Sequence, residues 1–170
     1  MGTNILYTYV GNAKKYSLAN DLEIRCFKPS IRNLMLSLSN KTGYADDYHN
    51  TWVELRWAAV THFGYRIFYV VDGNRIIHTS YCAHKCFKFP FMKERDWHIG
   101  PCHTDDDYQG RNIYPAVLQY ICVNLQDKGG NFYMIVEDSN VPSTKGVLKA
   151  GFANVGALNK SKYLKKYRLR

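Results

Sequence analysis

Long apolar runs, acidic residues, paired cysteines and the common glycine-rich nucleotide loops are all scarce or missing in this sequence. No stretch approaches the roughly 20 apolar residues that a membrane-spanning helix needs. Residues 1–20 carry Lys14 and Lys15 but no apolar core of the kind a secretory leader has. They read as a loosely ordered start to one domain spanning residues 1–170. The five cysteines, Cys26, Cys82, Cys86, Cys102 and Cys122, are odd in number and scattered, mostly in apolar runs. That is the pattern of reduced thiols in a cytoplasmic protein, not of a disulfide framework. There is no C-x-x-C knuckle. Cys82, His84 and Cys86 alternate on one strand, with His98 and Cys102 on the next, and zinc could use such a set. Buried thiols are the commoner meaning, and no metal is expected. Asp105-Asp106-Asp107 reads as a solvated turn and not as a magnesium site.

Acids are outnumbered: 14 Asp and Glu stand against 23 Lys and Arg, a net charge of +9 that would attract polyanions. Six of the cations lie between Lys160 and Arg170 with no acid among them. This fits an amphipathic final strand with a basic outer side. Helix-turn-helix, zinc-finger and RNP patterns are all missing, so a basic nucleic-acid-binding protein is the weaker alternative. With 46% hydrophobic and 22% charged residues, the chain has the balance of a soluble domain with a proper core.

What is present centres on Tyr108-Gln109-Gly110-Arg111-Asn112-Ile113-Tyr114-Pro115. Trp97 to Thr104 upstream reads as a short buried strand. Downstream, Tyr114, Val117, Leu118, Ile121, Cys122 and Leu125 recur as one face of a helix, and Pro115 is tolerated in its first turn. A strand, a polar turn and a helix start together point free N–H groups and a helix dipole at one spot, which suits an anion such as phosphate. Neither the Rossmann nor the Walker A glycine spacing is met.

The stretch resembles the central motif of the GNAT acyltransferase superfamily, Gln/Arg-x-x-Gly-x-Gly/Ala between a strand and a helix. Gln109 fits the first position, while Asn112 and Tyr114 stand at the two glycine positions. Asn112 is a mild departure, because asparagine tolerates left-handed backbone angles. Tyr114 is bulkier and reshapes the wall beside the phosphates. A second block follows in the family's order. Phe132 to Val136 reads as a strand, and Asn140, Ser143 and Lys149-Ala150-Gly151-Phe152 resemble the family's Asn-x-x-Ala/Ser … Gly-Phe signature. Together the blocks cover residues 97–158.

The rest of the chain reads compatibly. Leu22 to Phe27 alternates as a strand. Ser30 can cap a helix carrying Ile31, Leu34, Met35 and Leu38. A second helix is read from Asp46 or Asp47 to about His62. Tyr65–Val71 and Arg75–Phe87 form a hairpin about Asp72-Gly73-Asn74. The fold class expected is α/β (α+β): a mixed, mostly antiparallel sheet of about seven strands with about four helices on both faces.

The resemblance implies an N-acetyltransferase, in which an amine of a small molecule attacks the thioester of acetyl-CoA directly. It implies that pyrophosphate rests on Gln109, Gly110, Arg111, Asn112, Ile113 and Tyr114. The pantetheine arm pairs with the strand at Cys102, His103 and Thr104, and Asn140 and Ser143 complete the cofactor site. Pro101 beside Gly100 fits a bulge where two parallel strands splay. Some relatives carry a glutamate base on this strand. Counting back from Thr104, that position falls at His98, whose ordinary pKa suits the task. The usual tyrosine acid, seven residues after Asn140, is Val147 here. Tyr114 and Tyr133 are both near in sequence, and nothing selects one. This departure keeps open a CoA-binding domain without efficient catalysis. The acceptor is expected between residues 41–57 and the strand Tyr81–Phe91, an aromatic and acidic lining suited to an amine, with an amino sugar among the candidates. A second copy of the chain completes the expected partners.

Overall fold

The computed structural model describes residues 2–11, 13–19, 21–29, 59, 61–126, 129–161 and 166–170. Among them the chain forms one eight-stranded sheet. In chain order the strands are β1 (Asn4–Tyr9), β2 (Leu22–Phe27), β3 (Tyr65–Asp72), β4 (Arg75–His84), β5 (Trp97–Thr104), β6 (Phe132–Glu137), β7 (Phe152–Lys160) and β8 (Tyr167–Leu169). Across the sheet they run β2-β3-β4-β5-β6-β1-β7-β8. All neighbours are antiparallel except β5 and β6.

Two described helices, α1 (Ile113–Leu125) and α2 (Val141–Lys149), follow β5 and β6. The periodic residues of α1, Val117, Leu118, Ile121, Cys122 and Leu125, are buried against Phe68, Trp97, Ile99, Met134 and Phe152 of the sheet. Each such side chain stabilises the fold by roughly 1.5–3 kcal/mol. Val147 and Ala150 of α2 join the same cluster, so both helices cover one face. On the other face lie two smaller clusters, one around Tyr65, Ile67 and Ala83, the other around Cys86, Phe89 and Met92.

The structure corrects two expectations. Residues 4–9 are no loose leader: β1 lies between β6 and β7 and pairs with both. Its Asn-Ile-Leu-Tyr-Thr-Tyr run is rich in good strand formers, and flanking polar residues hide it. Strand β4 stops at His84, and residues 85–96 turn instead, held by bonds such as Phe89 N–H to Cys86 C=O at 3.0 Å. Eight strands stand where about seven are expected, because β1 adds one. The helix readings over 30–58 and the acceptor wall at 41–57 fall outside the described residues.

At the centre of the sheet β5 carries a bulge. Ser80 faces Cys102 while Cys82 faces Ile99, so β5 holds one residue more than β4. The extra length falls at Gly100, φ 139°, and Pro101, joined by a cis peptide bond. Strand alternation therefore changes sides here. Trp97 and Ile99 pack into the helix-side core, and so does Cys102.

Candidate functional site

Strands β5 and β6 pair only at Trp97–Phe132 and His98–Tyr133, then part. Beyond the bulge β5 thus keeps a free edge. A cleft of about 500 Å³ opens there, between the end of β5, the β5–α1 turn and α2. Of the residues assigned to a cofactor from the sequence, Cys102, His103, Thr104, Gln109, Gly110, Asn112, Ile113, Tyr114, Asn140 and Ser143 all line it, and Arg111 does not.

The turn starts with Asp105, which is buried and ion-paired with Arg75 at 2.8 Å. It is thus a fixed anchor, not the solvated residue expected; Asp106 and Asp107 are exposed. Tyr108 donates its hydroxyl to Asp72 Oδ2 at 2.6 Å, with the Arg75 and Arg111 guanidiniums 5.7 and 4.8 Å from its ring. Arg111 is thereby held at the rim. Gln109 Nε2 donates to Asp106 Oδ1 at 2.7 Å and to Thr104 C=O at 3.3 Å, which ties the turn to β5. Gly110, φ 76°, and Asn112, φ 59°, are both left-handed, and this curls the backbone round the spot where α1 begins. No backbone carbonyl among the described residues accepts the N–H groups of Gly110, Arg111, Asn112, Ile113 or Tyr114. A run of amides at a helix start is a natural seat for an anion.

Helix α2 forms the opposite wall. Asn140 caps it by accepting the Ser143 N–H at 3.1 Å. Lys145 and Lys149 face the cleft one turn apart, and Lys149 Nζ donates to Asn112 Oδ1 at 3.1 Å. Among the described residues the lining contains these two lysines and no carboxylate. Neither lysine stands out in the sequence; their i, i+4 spacing on the helix after Asn140 is the signal that could have found them.

Under the cleft lies a buried polar group that the sequence reading missed. His78 is fully buried. Its Nδ1 is 2.7 Å from Thr104 Oγ1 and its Nε2 2.8 Å from Ser80 Oγ. Burial, aided by His103, lowers its pKa to about 3, so the ring is neutral. Burial pushes the Cys102 thiol up to about 12, against the pull of the Ser80 and Tyr114 hydroxyls beside it. Burial also raises the Tyr114 phenol, whose Oη is 3.3 Å from Ser143 Oγ. The Tyr114 ring fits only because residue 146 is glycine: a Cβ there would lie 2.4 Å from Tyr114 Cδ1. Two polar side chains at alternate positions in the apolar run of β4 were the available signal for His78 and Ser80.

His98, the candidate base, does not reach this cleft. The bulge turns it to the other face, where it stacks on Phe89 at 4.1 Å and its Nδ1 is buried with no hydrogen-bond partner among the described residues. Burial, with a smaller effect from Lys88, lowers its pKa to about 3, which corrects the expectation of a base poised near neutrality. Val147, at the position of the usual tyrosine, is fully buried and apolar. Tyr133 belongs to the cluster around Phe89, on the far side from the cleft. Cys82 packs with the helix-side core and Cys86 with the opposite cluster, which divides the candidate metal set. Among the described residues no group of three His, Cys, Asp or Glu is arranged to hold a metal ion.

No protein-family model matches this sequence, and no curated protein matches it. Solved structures do resemble the fold. A GNAT-family acetyltransferase from Colwellia psychrerythraea superimposes with a TM-score of 0.61 at 13% identity, over 91% of this chain and 53% of that one. This chain therefore spans about half the length of that protein. The ribosomal-protein-S5-alanine acetyltransferase of Vibrio fischeri gives 0.54 at 22% identity, covering 89% of this chain and 90% of that one. An aminoglycoside acetyltransferase from an uncultured soil sample, solved with trehalose, gives 0.55 at 11% identity over 79% and 90%. The split sheet and the two helices that follow its central strands are the GNAT fold, and this chain is a GNAT-fold protein.

Proposed function

We propose that the protein is an N-acetyltransferase that moves an acetyl group from acetyl-CoA to a primary amine of a small molecule. One observation carries this reading: the cleft opens where β5 and β6 part, and amides and lysines line it with no carboxylate among the described residues. In this reading the pyrophosphate sits on the amides of Gly110 to Tyr114, with Lys145 and Lys149 neutralising it. The pantetheine arm lies along the free edge of β5 at Cys102–Thr104 and takes the place of the strand that has departed. The amine nitrogen attacks the thioester carbonyl, the C–S bond breaks, and an amide and CoA result. Holding both reactants in line supplies much of the rate. The net charge of +9 helps draw the anionic donor in. The acceptor approaches from the face that carries Phe89 and His98, and an amino sugar remains among the candidates. We place the protein in the cytoplasm, where its cysteines stay as thiols.

A second reading, a CoA-binding domain without efficient catalysis, is favoured by one specific observation. His98 is neutral and outside the cleft, and Val147 offers no proton. Release of CoA thiol in the presence of a panel of primary amines, amino sugars included, separates the two. Amine-dependent release supports the enzyme. Tight binding with no release above the acceptor-free control supports the second reading.

A further inference from the structure

The excess of positive charge is concentrated in two stretches of the chain. Residues 85–96 and 160–170 together hold ten of the 23 Lys and Arg against two acids, Glu94 and Asp96, a balance of +8 that leaves +1 for the rest. Lys162 and Lys165 of this set lie outside the described residues. Asp96 does not face solvent: it is buried, and its carboxylate accepts the N–H groups of Lys93 at 2.6 Å and Asn131 at 2.8 Å. Glu94 is paired with Lys85 at 2.8 Å. Among the described residues no carboxylate pairs with Lys88, Lys93, Arg95, Lys160, Arg168 or Arg170.

The packing of one loop brings the two stretches together. Cys86, Phe89 and Met92 are buried against the sheet, so residues 85–96 fold back over it instead of reaching into solvent. Phe89 stacks on Tyr167 with ring centroids 5.8 Å apart, and Tyr167 N–H donates to Lys88 C=O at 2.9 Å. Lys160 Nζ lies 5.4 Å from the Tyr167 ring. Across the β7–β8 ladder Lys160 pairs with Tyr167 and Asn159 with Arg168. Ladder partners share a side of the sheet and successive residues alternate. Lys160 therefore stands on the Phe89 side and Arg168 on the helix side. Arg170 joins Arg168 there, its Nε donating to Asn159 Oδ1 at 2.8 Å. The cations thus wrap the edge of the sheet. Phe87, in the same loop, is 52% exposed. None of these residues lines the cleft between β5 and α2.

A small anion needs cations that converge on one point, and Lys160 and Arg168 stand on opposite sides. A membrane presents a plane, which touches one side of an edge. Protein interfaces are depleted in lysine, whereas nucleic-acid interfaces are strongly positive. A flexible polyanion can follow the edge round, and an exposed aromatic ring beside the cations offers an unpaired base a place to stack. Binding of this kind reads no sequence and needs none of the base-reading motifs that the chain lacks. We infer that the β7–β8 edge and the loop of residues 85–96 form a binding surface for single-stranded nucleic acid. Its phosphates lie on Lys88, Lys160, Arg168 and Arg170, and a base stacks on Phe87. This surface is separate from the cleft, and the inference does not rest on the cleft taking acetyl-CoA.

Fluorescence anisotropy of a labelled oligouridylate, followed as salt is raised, tests it. The logarithm of the affinity should fall linearly with that of salt, with a slope of about −3 for four phosphate contacts. Lys160→Glu with Arg168→Glu should weaken binding about tenfold or more and make the slope shallower by about 1. Lys14→Glu with Lys15→Glu, the same change of charge elsewhere on the chain, should cost about threefold at most. Phe87→Ala should weaken binding about tenfold with the slope unchanged. Saturating CoA should not displace the oligouridylate. Equal loss in the two charge-reversed pairs would overturn the proposal, because binding would then follow net charge alone. So would displacement by CoA, or tighter binding to duplex DNA or to vesicles of phosphatidylcholine and phosphatidylserine. Ultraviolet cross-linking of the wild type to thiouridine-substituted RNA gives an answer even if the variants fail to fold. Cross-links within residues 85–96 or 160–170 support the surface, and cross-links confined to other residues overturn it. A wild type that binds no oligouridylate at low salt would overturn this inference and leave the acetyl-CoA reading standing.

Discussion

Gly146 and Tyr114 show how much a single pair decides here. They stand on different helices, and a methyl group at 146 would press on the Tyr114 ring at 2.4 Å. Gly146→Ala gains helix propensity of up to about 1 kcal/mol. Against this stands overpacking of about 1–3 kcal/mol. The expected outcome is a net loss of roughly 1–2 kcal/mol in urea unfolding. In the double variant with Tyr114→Ala much of that loss should vanish, because the two sites couple directly. None of this was legible in the sequence, because no periodicity links residues 32 apart across two helices. Asn112 was legible: an asparagine at a glycine position suggested a left-handed backbone, and φ is 59°. His98 was misjudged by counting alternate residues across Gly100-Pro101, where the bulge adds one residue to β5.

The elements around the cleft were read well, because each carries its own local pattern. Strand β5 and the apolar face of α1 fall where alternation and 3.6-residue spacing put them. Strand β6, the Asn140 cap and β7 follow from equally local signals. The β5–α1 turn is the element on which binding depends. Gly110 has φ 76° and a Cβ there would meet nothing within 4 Å. Gly110→Val should therefore fold, at a cost of roughly 1–2 kcal/mol for the left-handed backbone. It should weaken acetyl-CoA binding by about tenfold or more, since its branched side chain stands where the backbone must approach the phosphates. Unchanged affinity in this variant would mean that phosphate does not sit on the turn. Lys149→Ala removes both a cation and the bond to Asn112, so it should lower affinity and flatten the dependence of binding on salt.

At the scale of the whole molecule, two buried histidines set the response to acid. His78 and His98 each have a folded pKa of about 3, against an ordinary value of about 6.5. The unfolded chain binds their protons first. Stability is therefore complete above about pH 6.5 and is lost as pH falls toward 3, by about 2 kcal/mol for each histidine between pH 7 and 5. Thermal unfolding followed across that range should show the fall, and His98→Phe should reduce it. The sheet order could not be read from the sequence at this scale. The placement of β1 between β6 and β7 depends on pairings more than 120 residues apart, and residues 1–20 look polar in composition.

The central claim is that the carboxylate-free cleft between β5 and α2 binds acetyl-CoA through its pyrophosphate. Calorimetric titration with acetyl-CoA tests it most directly, with CoA alongside and plain pyrophosphate as control. The account predicts saturable one-to-one binding of acetyl-CoA and CoA, weaker binding of pyrophosphate at the same site, and affinity that falls as salt is raised. A folded protein that gives no binding heat with acetyl-CoA or pyrophosphate at any temperature tried would contradict it. Asn112 and Tyr114 would then have closed the phosphate site.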